Sequence, residues 1–382
     1  MKIVHLITDL DTGGAEMMLF KLMQKMDKSR YKNIVVSLMN EGTLGHRFIK
    51  LGVPVYCLDM KRSSIVHSFK VLKLLKLLRH ERPDIVQTWM YHCDLIGGLA
   101  SAISGRIPVA WNIRQSNLDS KVNKKTTILI AKICALISSR IPDVIICGSE
   151  KARQVHRGMG YNEQKMVVIP NGFDIEAFHP DIEARLSVRR ELGLRENAFL
   201  IGLVARYDAQ KDHRTFLLAA NKIAASHGNV HFILCGDNVT WSNRELTSWI
   251  GEHRNQFHLL GRRTDISRIT ASFDLACSSS LGEGFANVIG EAMACGVPCV
   301  VTDVGDSALI VGETGLVVPP GSYEALAGAF ERFLSLSHDS RQALSFKARE
   351  KVEQSYNLPK IVDKYVTVYE EIVNHVRNRR FP

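Results

Sequence analysis

Two cations follow an apolar run in the second half of the sequence, at a point where a strand is predicted to end. Arg206 and Lys211 come directly after FLIGLVA, in the segment RYDAQKD. A guanidinium offers a planar fork of donors and an ammonium offers a compact point charge, so the pair suits a diphosphate. The alternative is a solvated basic loop whose two cations bind no ligand.

Two carboxylates accompany a predicted helix start further along the chain. Glu283 lies in a glycine-flanked loop after FDLACSSS, and the sequence ANVIGEAMAC predicts a helix that begins near Ala286 or Asn287. Glu291 then falls within the first turns of this helix. The N–H groups and the dipole at a helix start favour a phosphate, and carboxylates accept hydrogen bonds from sugar hydroxyls. The alternative is one capping and one surface glutamate.

Short apolar runs that alternate with helical segments predict the framework that positions these residues. We expect strands in the first half at KIVHLI, NIVVSL, VPVYCL, DIVQTW, VAWNI, DVIICG and MVVIP. In the second half we expect them at FLIGLVA, VHFILCG, FHLLG, FDLACS, PCVVT and GLVVP. The segments between them carry apolar residues at three- and four-residue spacing. This alternation is typical of parallel sheets covered by helices on both faces.

The series occurs twice, which predicts an α/β protein with two doubly wound, Rossmann-like domains. We expect the first domain at residues 1–178 and the second at 197–356, joined by a polar segment that continues to Glu196. The last residues, 357–382, are predicted to form a helix. Ligands of such sheets bind at the carboxyl ends of the strands, where the cations and carboxylates above are predicted to lie.

The first strand is followed by a turn, TDLDTGGAE, that also fits a ligand. Gly13 and Gly14 permit a close approach of the backbone, and the helix predicted to begin near Ala15 directs its positive end to the same place. The alternative is a loop that needs glycine only because it adopts a positive φ.

The composition is that of a soluble globular protein with an uneven charge. The chain has 382 residues and a formal net charge of +10. Residues 1–180 carry 26 Lys and Arg side chains against 15 Asp and Glu, so the basic surplus lies in the first half. A nucleic-acid-binding protein is disfavoured, because the basic half lacks aromatic residues interleaved with the basic ones and lacks a recognition module.

Nothing in the sequence predicts export or a membrane span. The apolar opening IVHLI is short and is followed by Asp9 and Asp11, and the longest apolar stretch is interrupted by Lys132. The eight cysteines are therefore expected to be reduced thiols, and a cytoplasmic protein is predicted. Cys295 and Cys299 have no further ligand in metal-binding spacing, so we expect no metal site.

The segments VARYDAQKD, EGFANVIGE and AMACGVPCVVTDVG resemble the donor-binding domain of family 4 glycosyltransferases, which are retaining enzymes of the GT-B fold. The resemblance covers nearly the whole chain and is most specific in its second half. It implies two Rossmann-like domains that face each other across a cleft, with a nucleotide-sugar donor held between them, and a carboxy-terminal helix of about residues 357–382 that packs back on the first domain. It also implies that neither a metal nor another cofactor is required.

The resemblance implies a role for each matching residue around the donor sugar and the diphosphate. Arg206 and Lys211 would neutralise the departing diphosphate, and Glu283 would hold the hydroxyl groups of the donor sugar. The backbone of the following residues would contact sugar and phosphate, and the helix start would stabilise the leaving group. These residues are Gly284, Phe285, Ala286 and Asn287.

Other matching residues would hold the nucleoside and the phosphates. Glu291 would accept hydrogen bonds from the ribose hydroxyls, and the backbone at Gly261 and Arg262 would contact the base. The base is expected to be uracil, although a purine is an open alternative. Gly13 and Gly14 would approach the phosphates from the first domain.

The sequence departs from the family pattern in the first domain. Many members carry a histidine in a strand-end turn near the reacting sugar, but the strand VAWNI here is followed by Arg114. His92 instead follows the preceding strand, in QTWMYHCDLIGG. Both are candidates for the catalytic site, Arg114 because a cation stabilises a departing diphosphate and His92 as a titratable group.

These features and the resemblance predict transfer of a sugar, from a donor expected to be UDP-linked, to a hydroxyl group of a glycan acceptor in the biosynthesis of a bacterial surface polysaccharide. A non-transferring enzyme of the same fold, such as a nucleotide-sugar epimerase, is the alternative. The basic first half further predicts a lipid-linked acceptor and an anionic membrane surface as partners. The lysines expected to face this surface are Lys70, Lys73, Lys76, Lys121, Lys124 and Lys125.

Overall fold

The computed structural model describes residues 1–11, 13–60, 70–118 and 123–380. The chain divides into two compact units. Unit 1 consists of Met1–Gly172 together with Leu358–Pro382, and unit 2 consists of Phe173–Asn357. Each unit is built around a parallel sheet that helices cover, so the prediction of two Rossmann-like α/β domains is confirmed.

The described part of unit 1 holds a seven-stranded parallel sheet. Its strands are β1 (Lys2–Ile7), β2 (Lys32–Ser37), β3 (Val55–Cys57), β4 (Ile85–Thr88), β5 (Val109–Ile113), β6 (Val144–Cys147) and β7 (Met166–Val168). They are ordered β3-β2-β1-β4-β5-β6-β7 across the sheet. The order therefore reverses between the adjacent strands β1 and β4. In doubly wound sheets this reversal is the place where ligands bind.

Helices of unit 1 connect these strands and cover the sheet. They are α1 (Gly14–Lys25), α2 (Gly45–Lys50), α3 (Val71–Glu81), α4 (Tyr91–Ile103), α5 (Lys125–Ile137) and α6 (Glu150–Gly158). Buried residues of α1 and α2 pack on one side of the sheet. Buried residues of α3, α4 and α5 form the core on the other side.

Unit 2 contains a six-stranded parallel sheet. Its strands are β8 (Phe199–Val204), β9 (Val230–Cys235), β10 (Phe257–Leu259), β11 (Leu275–Ser278), β12 (Cys299–Thr302) and β13 (Leu316–Val318). The order is β10-β9-β8-β11-β12-β13, so this sheet reverses between β8 and β11. All the apolar runs singled out in the sequence form strands, because their β-branched residues suit a sheet buried on both faces.

The helices of unit 2 surround this sheet. They are α7 (Ile182–Glu191), α8 (His213–Ser226), α9 (Arg244–Ser248), α10 (Ile266–Ala271), α11 (Asn287–Ala294), α12 (Ser307–Val311), α13 (Tyr323–Leu334) and α14 (His338–Ser355). The predicted helix start near Ala286 or Asn287 corresponds to the first residue of α11. Across the described ranges, every helix is too short or too polar to span a bilayer.

The polar segment predicted to link the domains belongs to unit 2, and the chain leaves unit 1 at Gly172 rather than at residue 178. Within this segment α7 buries the guanidinium of Arg189 completely. Arg189 forms an ion pair with Asp274 at 2.8 Å and donates to the carbonyl oxygens of Ala198 and Ser272 at 2.9 Å. The helix resembles a linker in sequence because its buried side consists of a paired charge and only two apolar residues, Ala184 and Val188.

The last helix, α15 (Leu358–Arg380), returns to unit 1 and contacts α1. Its inward side joins the core that α1, β1 and β2 share, and the buried residues of α15 are Leu358, Ile361, Val362, Tyr365, Tyr369 and Val373. Unit 1 is therefore completed by residues that follow unit 2 in the chain.

Candidate active site

The reversal of strand order in unit 2 brings together residues that are far apart in sequence. Arg206 and Lys211 follow β8, and Glu283 follows the neighbouring strand β11. Because both strands are parallel, their carboxyl ends lie at the same sheet edge. This edge is the candidate site of unit 2.

Lys211 and Glu283 form an ion pair at this edge. The Oγ of Ser280 also donates to Oε1 of Glu283 at 2.7 Å. The Glu283 side chain is only 12% exposed and that of Lys211 is 24% exposed, so solvent screens the pair weakly. The two side chains thus hold each other in fixed positions, which prepares them for a ligand.

Backbone contacts fix the segment that carries the cations. The Asp208 side chain caps the short turn of residues 209–211 by accepting from the Gln210 N–H at 2.9 Å. Asp208 also pairs with the guanidinium of Arg206 at 3.1 Å. The amide of Gln210 donates to the carbonyl oxygen of Gly282 at 2.6 Å, which ties this turn to the loop of Glu283. Arg206 remains 66% exposed, so its guanidinium is accessible to a ligand.

The loop of Glu283 packs closely on a glycine. Gly305 has a φ of +58°, and a Cβ atom at this position would lie 2.4 Å from the carbonyl oxygen of Glu283. The N–H of Asp306 donates to the carbonyl oxygen of Gly284 at 3.3 Å. A residue larger than glycine at position 305 would therefore displace the loop that holds the carboxylate.

The start of α11 lies directly after this loop. Ala286 is its N-cap residue and makes no side-chain cap, so backbone N–H groups face away from the helix there. Asn287 is the first helical residue and Glu291 lies one turn further along the helix. The ring of Phe285 stacks on Phe173 with 6.0 Å between ring centroids, which anchors the loop in the core of unit 2.

The residues predicted to contact the base lie after β10. Gly261 has a φ of +65°, which favours glycine, and its carbonyl oxygen accepts from the N–H of Gly236 at 2.9 Å. Arg262 follows it and is exposed. Both residues follow the carboxyl end of β10, which is the neighbour of β9 in the sheet.

The glycine turn of unit 1 follows β1, beside the strand-order reversal of the first sheet. Gly13 is the N-cap residue of α1 with an extended φ of −144°. Gly14 is exposed, and a Cβ atom added to it would meet no other atom of the described residues within 4 Å. Neither residue adopts a positive φ, so the alternative explanation of these glycines is wrong. Gly14 therefore leaves the open space beside the backbone that a close ligand requires, whereas a Cβ atom on Gly13 would meet the side chain of Glu16.

Glu16 lies in the first turn of α1 and adds a titratable group to this place. Burial and the nearby carboxylates of Asp9 and Asp11 raise the pKa of Glu16 from 4.5 to about 7. Near neutral pH the carboxyl group is therefore partly protonated. This reduces the negative charge that a diphosphate would meet at the glycine turn.

We expect the Glu16→Gln variant to be more stable than the wild-type protein at about pH 8 and equally stable at about pH 4. Between pH 4.5 and 7 the folded protein keeps a proton that the unfolded chain has lost, so stability falls as pH rises. The difference at about pH 8 is expected to be about 3 kcal/mol, and urea unfolding at both pH values measures it. Glu371→Gln, at an exposed position of α15, is the control. Equal effects of the two substitutions would contradict the prediction.

The two remaining catalytic candidates lie after neighbouring strands of unit 1. His92 is in the first turn of α4, after β4, and is half-buried. Arg114 follows β5, and its guanidinium donates to Oδ1 of Asn171 at 3.0 Å and to the hydroxyl of Tyr365. It also lies over the ring of Trp89, 5.4 Å from the centroid. These contacts give Arg114 a structural role in unit 1, and its catalytic role stays a prediction.

Several residues of the site were not singled out in the sequence. Ser280, which binds Glu283, stands in the serine run that ends β11, and this strand-end position was a usable signal. Asp208 and Glu16 both flank predicted ligand residues, and their charges could have been considered with them. Tyr365 is separated from Arg114 by 251 residues, so no local pattern connects the two.

Two family models match the chain, one over each half. A family model described as Glycosyltransferase Family 4 matches residues 12–177, and one described as Glycosyl transferases group 1 matches residues 198–335. Together these matches define a glycosyltransferase built from two Rossmann-like domains. The second match includes the candidate site of unit 2. The chain belongs to the family 4 glycosyltransferases.

Relatives of known name include enzymes of polysaccharide assembly. The chain is 26% identical to the UDP-Gal:alpha-D-GlcNAc-diphosphoundecaprenol alpha-1,3-galactosyltransferase of Escherichia coli, covering 84% of this chain and 83% of the relative. It is 22% identical to the N,N'-diacetylbacillosaminyl-diphospho-undecaprenol alpha-1,3-N-acetylgalactosaminyltransferase of Campylobacter jejuni, covering 96% and 99%. The crystal structure of Anabaena HepE in complex with UDP superposes with a TM-score of 0.84 at 22% identity, covering 97% and 100%. That likeness shows the fold.

Proposed function

We propose that the protein transfers a sugar from a UDP-sugar to a hydroxyl group of a lipid-linked saccharide, in the assembly of a bacterial surface polysaccharide. The contact between Lys211 and Glu283 beside the start of α11 carries the proposal. It joins a phosphate-binding cation, an acceptor for sugar hydroxyls and a helix N-terminus at one sheet edge. The diphosphoundecaprenol acceptors in the names of two relatives and the UDP bound to HepE support the acceptor and the donor.

In this proposal the donor sugar and its diphosphate bind between the two charged segments of unit 2. Arg206 and Lys211 stabilise the departing diphosphate, and Glu283 accepts hydrogen bonds from the donor sugar. The backbone of Gly284, Phe285 and Ala286 contacts sugar and phosphate, and the start of α11 at Asn287 stabilises the negative charge that develops.

The nucleoside occupies the neighbouring part of the same sheet edge. Glu291 accepts hydrogen bonds from the ribose, and the backbone at Gly261 and Arg262 contacts the base. Gly13 and Gly14 of unit 1 approach the phosphates. His92 and Arg114 complete the set of residues that we propose for the reaction, with Arg114 as a cation for the leaving diphosphate.

We infer that the transfer retains the anomeric configuration through a front-face displacement. The bond from the anomeric carbon to the leaving phosphate oxygen breaks, and the acceptor oxygen bonds to the same face of the sugar. The leaving phosphate takes the acceptor proton. Glu283 is held by Lys211 and Ser280, which supports a role as a fixed hydrogen-bond acceptor over one as a nucleophile.

Two cations and a helix N-terminus can supply the positive charge that stabilises the leaving group, so we propose that no metal is required.

We also propose that the protein works at the cytoplasmic face of a membrane with anionic lipids. Of the lysines predicted to face such a surface, Lys73, Lys76, Lys124 and Lys125 are exposed, whereas Lys121 lies outside the described residues. Each basic side chain near an anionic leaflet contributes about 1 kcal/mol to binding. Four exposed lysines therefore support a peripheral attachment.

Helix α3 contributes to this surface mainly through its charges. The side of α3 that carries Leu74 and Leu78 is not available to lipid, because both residues are buried in the core of unit 1. Lys70 precedes α3, and its Nζ donates to the carbonyl oxygen of Asp59 at 2.5 Å. α3 therefore offers charge to the surface, and its main apolar contacts are with unit 1.

A panel of nucleotide sugars tests the proposed donor. We expect slow release of UDP from one UDP-sugar without an acceptor, faster release with an undecaprenyl-diphosphate saccharide, and equal rates with and without EDTA. The anomeric configuration of the product, measured by NMR, tests retention. Conversion of the donor into an epimer, with no UDP released, would establish the epimerase alternative. Release of GDP from a GDP-sugar, with no UDP released from any UDP-sugar, would contradict the proposed base.

A further inference from the structure

The helix layer of α3, α4 and α5 exposes aliphatic side chains on the side that faces away from the sheet. We call this surface the α3–α5 face. Its exposed aliphatic residues are Leu72, Leu99, Ile103, Leu129, Ile133 and Leu136. Isolated exposed aliphatic residues are ordinary, but a group on adjacent helices indicates an interaction surface.

The outward side of α5 shows the feature most clearly. Leu136 is 81% exposed and Leu129 is 58% exposed, while Ile130, Ala131 and Cys134 on the opposite side are buried. Leu129, Ile133 and Leu136 recur at spacings of four and three residues, so they lie along one stripe of the helix. A helix that only covered a sheet would carry polar side chains on this stripe.

The neighbouring helix α4 continues the apolar surface. Leu99 and Ile103 are four residues apart on its outward side, and Ile103 is 62% exposed. α4 and α5 contact each other, and both connect parallel strands, so they run in the same direction. Leu99 and Ile103 of α4 therefore lie in the carboxyl-terminal half of their helix, as Ile133 and Leu136 do in the adjacent α5, and Leu129 extends the stripe towards the start of α5.

The exposed charges of α3, α4, α5 and the described segments between them are basic as far as Arg140; Asp143, which follows, is exposed, and its carboxylate accepts from the N–H of Val109 at 2.8 Å. In the described residues between positions 70 and 140, every charged side chain that is exposed is basic, and they are Lys73, Lys76, Arg79, Arg82, Arg106, Lys124, Lys125, Lys132 and Arg140. The carboxylates described in this range form ion pairs or are buried. Glu81 pairs with Lys2 at 3.1 Å, and Asp94 is fully buried. Asp84 pairs with Arg377 at 2.8 Å.

We propose that the α3–α5 face inserts its aliphatic side chains into the outer part of an anionic lipid bilayer, while the surrounding Lys and Arg side chains bind the headgroups. An apolar stripe with basic flanks is the arrangement that binds an anionic membrane interface. The proposal rests on the proposed function, which requires access to a lipid-linked acceptor. It adds that attachment depends on the aliphatic residues of α4 and α5 as well as on lysines.

A second copy of the chain fits this surface less well. A symmetric dimer would place the same face of both copies together. Basic residues of one copy, such as Lys125 and Lys132, would then meet the basic residues of the other, and like charges repel. An anionic bilayer instead complements the charge and buries the apolar stripe.

Vesicle sedimentation of the full chain tests the proposal with a matched pair of variants. The variant L129Q/L136Q changes two exposed residues of α5, and the control L309Q/F346Q changes two exposed aliphatic and aromatic residues of unit 2. We expect L129Q/L136Q to lower the partition onto phosphatidylcholine–phosphatidylglycerol vesicles by about tenfold, because the aliphatic burial is lost. The control variant is expected to bind as the wild-type protein does. Wild-type protein is expected to keep part of its binding in about 0.5 M salt, where charge attraction is screened.

The outcomes separate this inference from the proposed function. Equal vesicle binding of L129Q/L136Q and wild type, or complete release of wild type by salt, would overturn the insertion of the α3–α5 face. A wild-type dimer in sedimentation equilibrium that L129Q/L136Q converts into a monomer would assign the face to self-association instead. Release of UDP from a UDP-sugar, without acceptor or vesicles, reports on the proposed function alone. We expect this release to be the same in L129Q/L136Q and wild type.

Discussion

Replacement of Glu283 with glutamine is expected to lower kcat by about two orders of magnitude and to leave the affinity for UDP within about threefold. The carboxylate lies at the carboxyl end of β11, paired with Lys211 and bound by Ser280. Glutamine keeps the shape of the side chain and removes its charge. The hydroxyls of the donor sugar then lose a charged acceptor, while the groups proposed to bind UDP remain.

Steady-state kinetics and calorimetric titration with UDP measure the two effects separately. Glu252→Gln, at an exposed position of unit 2, is the control, and we expect both quantities to stay unchanged in it. A loss of UDP affinity as large as the loss of kcat would assign Glu283 to the nucleotide rather than to the sugar. Unchanged kcat would remove Glu283 from the site.

A chain that ends at Asn357 is expected to lose the folded state of unit 1 while unit 2 stays folded. The truncation removes α15, whose inward residues, among them Leu358, Tyr365 and Tyr369, are buried in the core of unit 1. Each such side chain contributes about 1.5–3 kcal/mol by burial, so the sum for the helix is about 10 kcal/mol. That is comparable to the whole stability of a domain of this size.

Hydrogen exchange distinguishes the two units in this experiment. We expect rapid exchange in β1, β2 and α1 of the truncated chain and protected amides in β8, β9 and β11. A chain that ends at Asn378 keeps every core residue of α15 and is the control. Protection in β1 and β2 equal to that of the full chain would contradict the role assigned to α15.

The sheets could be predicted because their signal is local. Each strand is a short run of β-branched and apolar residues, and parallel strands buried on both faces must have this composition. The same holds for the start of α11, where glycines precede the helical pattern of ANVIGEAMAC. Residues at the carboxyl ends of parallel strands share one sheet edge. The sequence could therefore predict that one site contains Arg206, Lys211 and Glu283.

The details of pairing could not be predicted in this way. Lys211 and Glu283 are 72 positions apart, and their ion pair depends on β8 lying next to β11, which no local pattern specifies. Arg114 was assigned to the leaving group from its place after a strand, but Tyr365 of α15 and Asn171 hold its guanidinium. The segment that contains α7 was interpreted as a linker because Arg189 makes the helix polar in sequence, whereas the guanidinium is buried and the segment belongs to unit 2.

The return of α15 to unit 1 has a consequence for the order in which the protein folds during synthesis. Unit 2 is continuous in sequence and is complete once Asn357 has left the ribosome. Most of unit 1 precedes unit 2 in the chain, yet its core stays open until Leu358, Tyr365 and Tyr369, which follow unit 2, have been made. Unit 1 therefore finishes folding after unit 2, and the inward side of α1 is exposed in the interval, which is when a chaperone has most to protect.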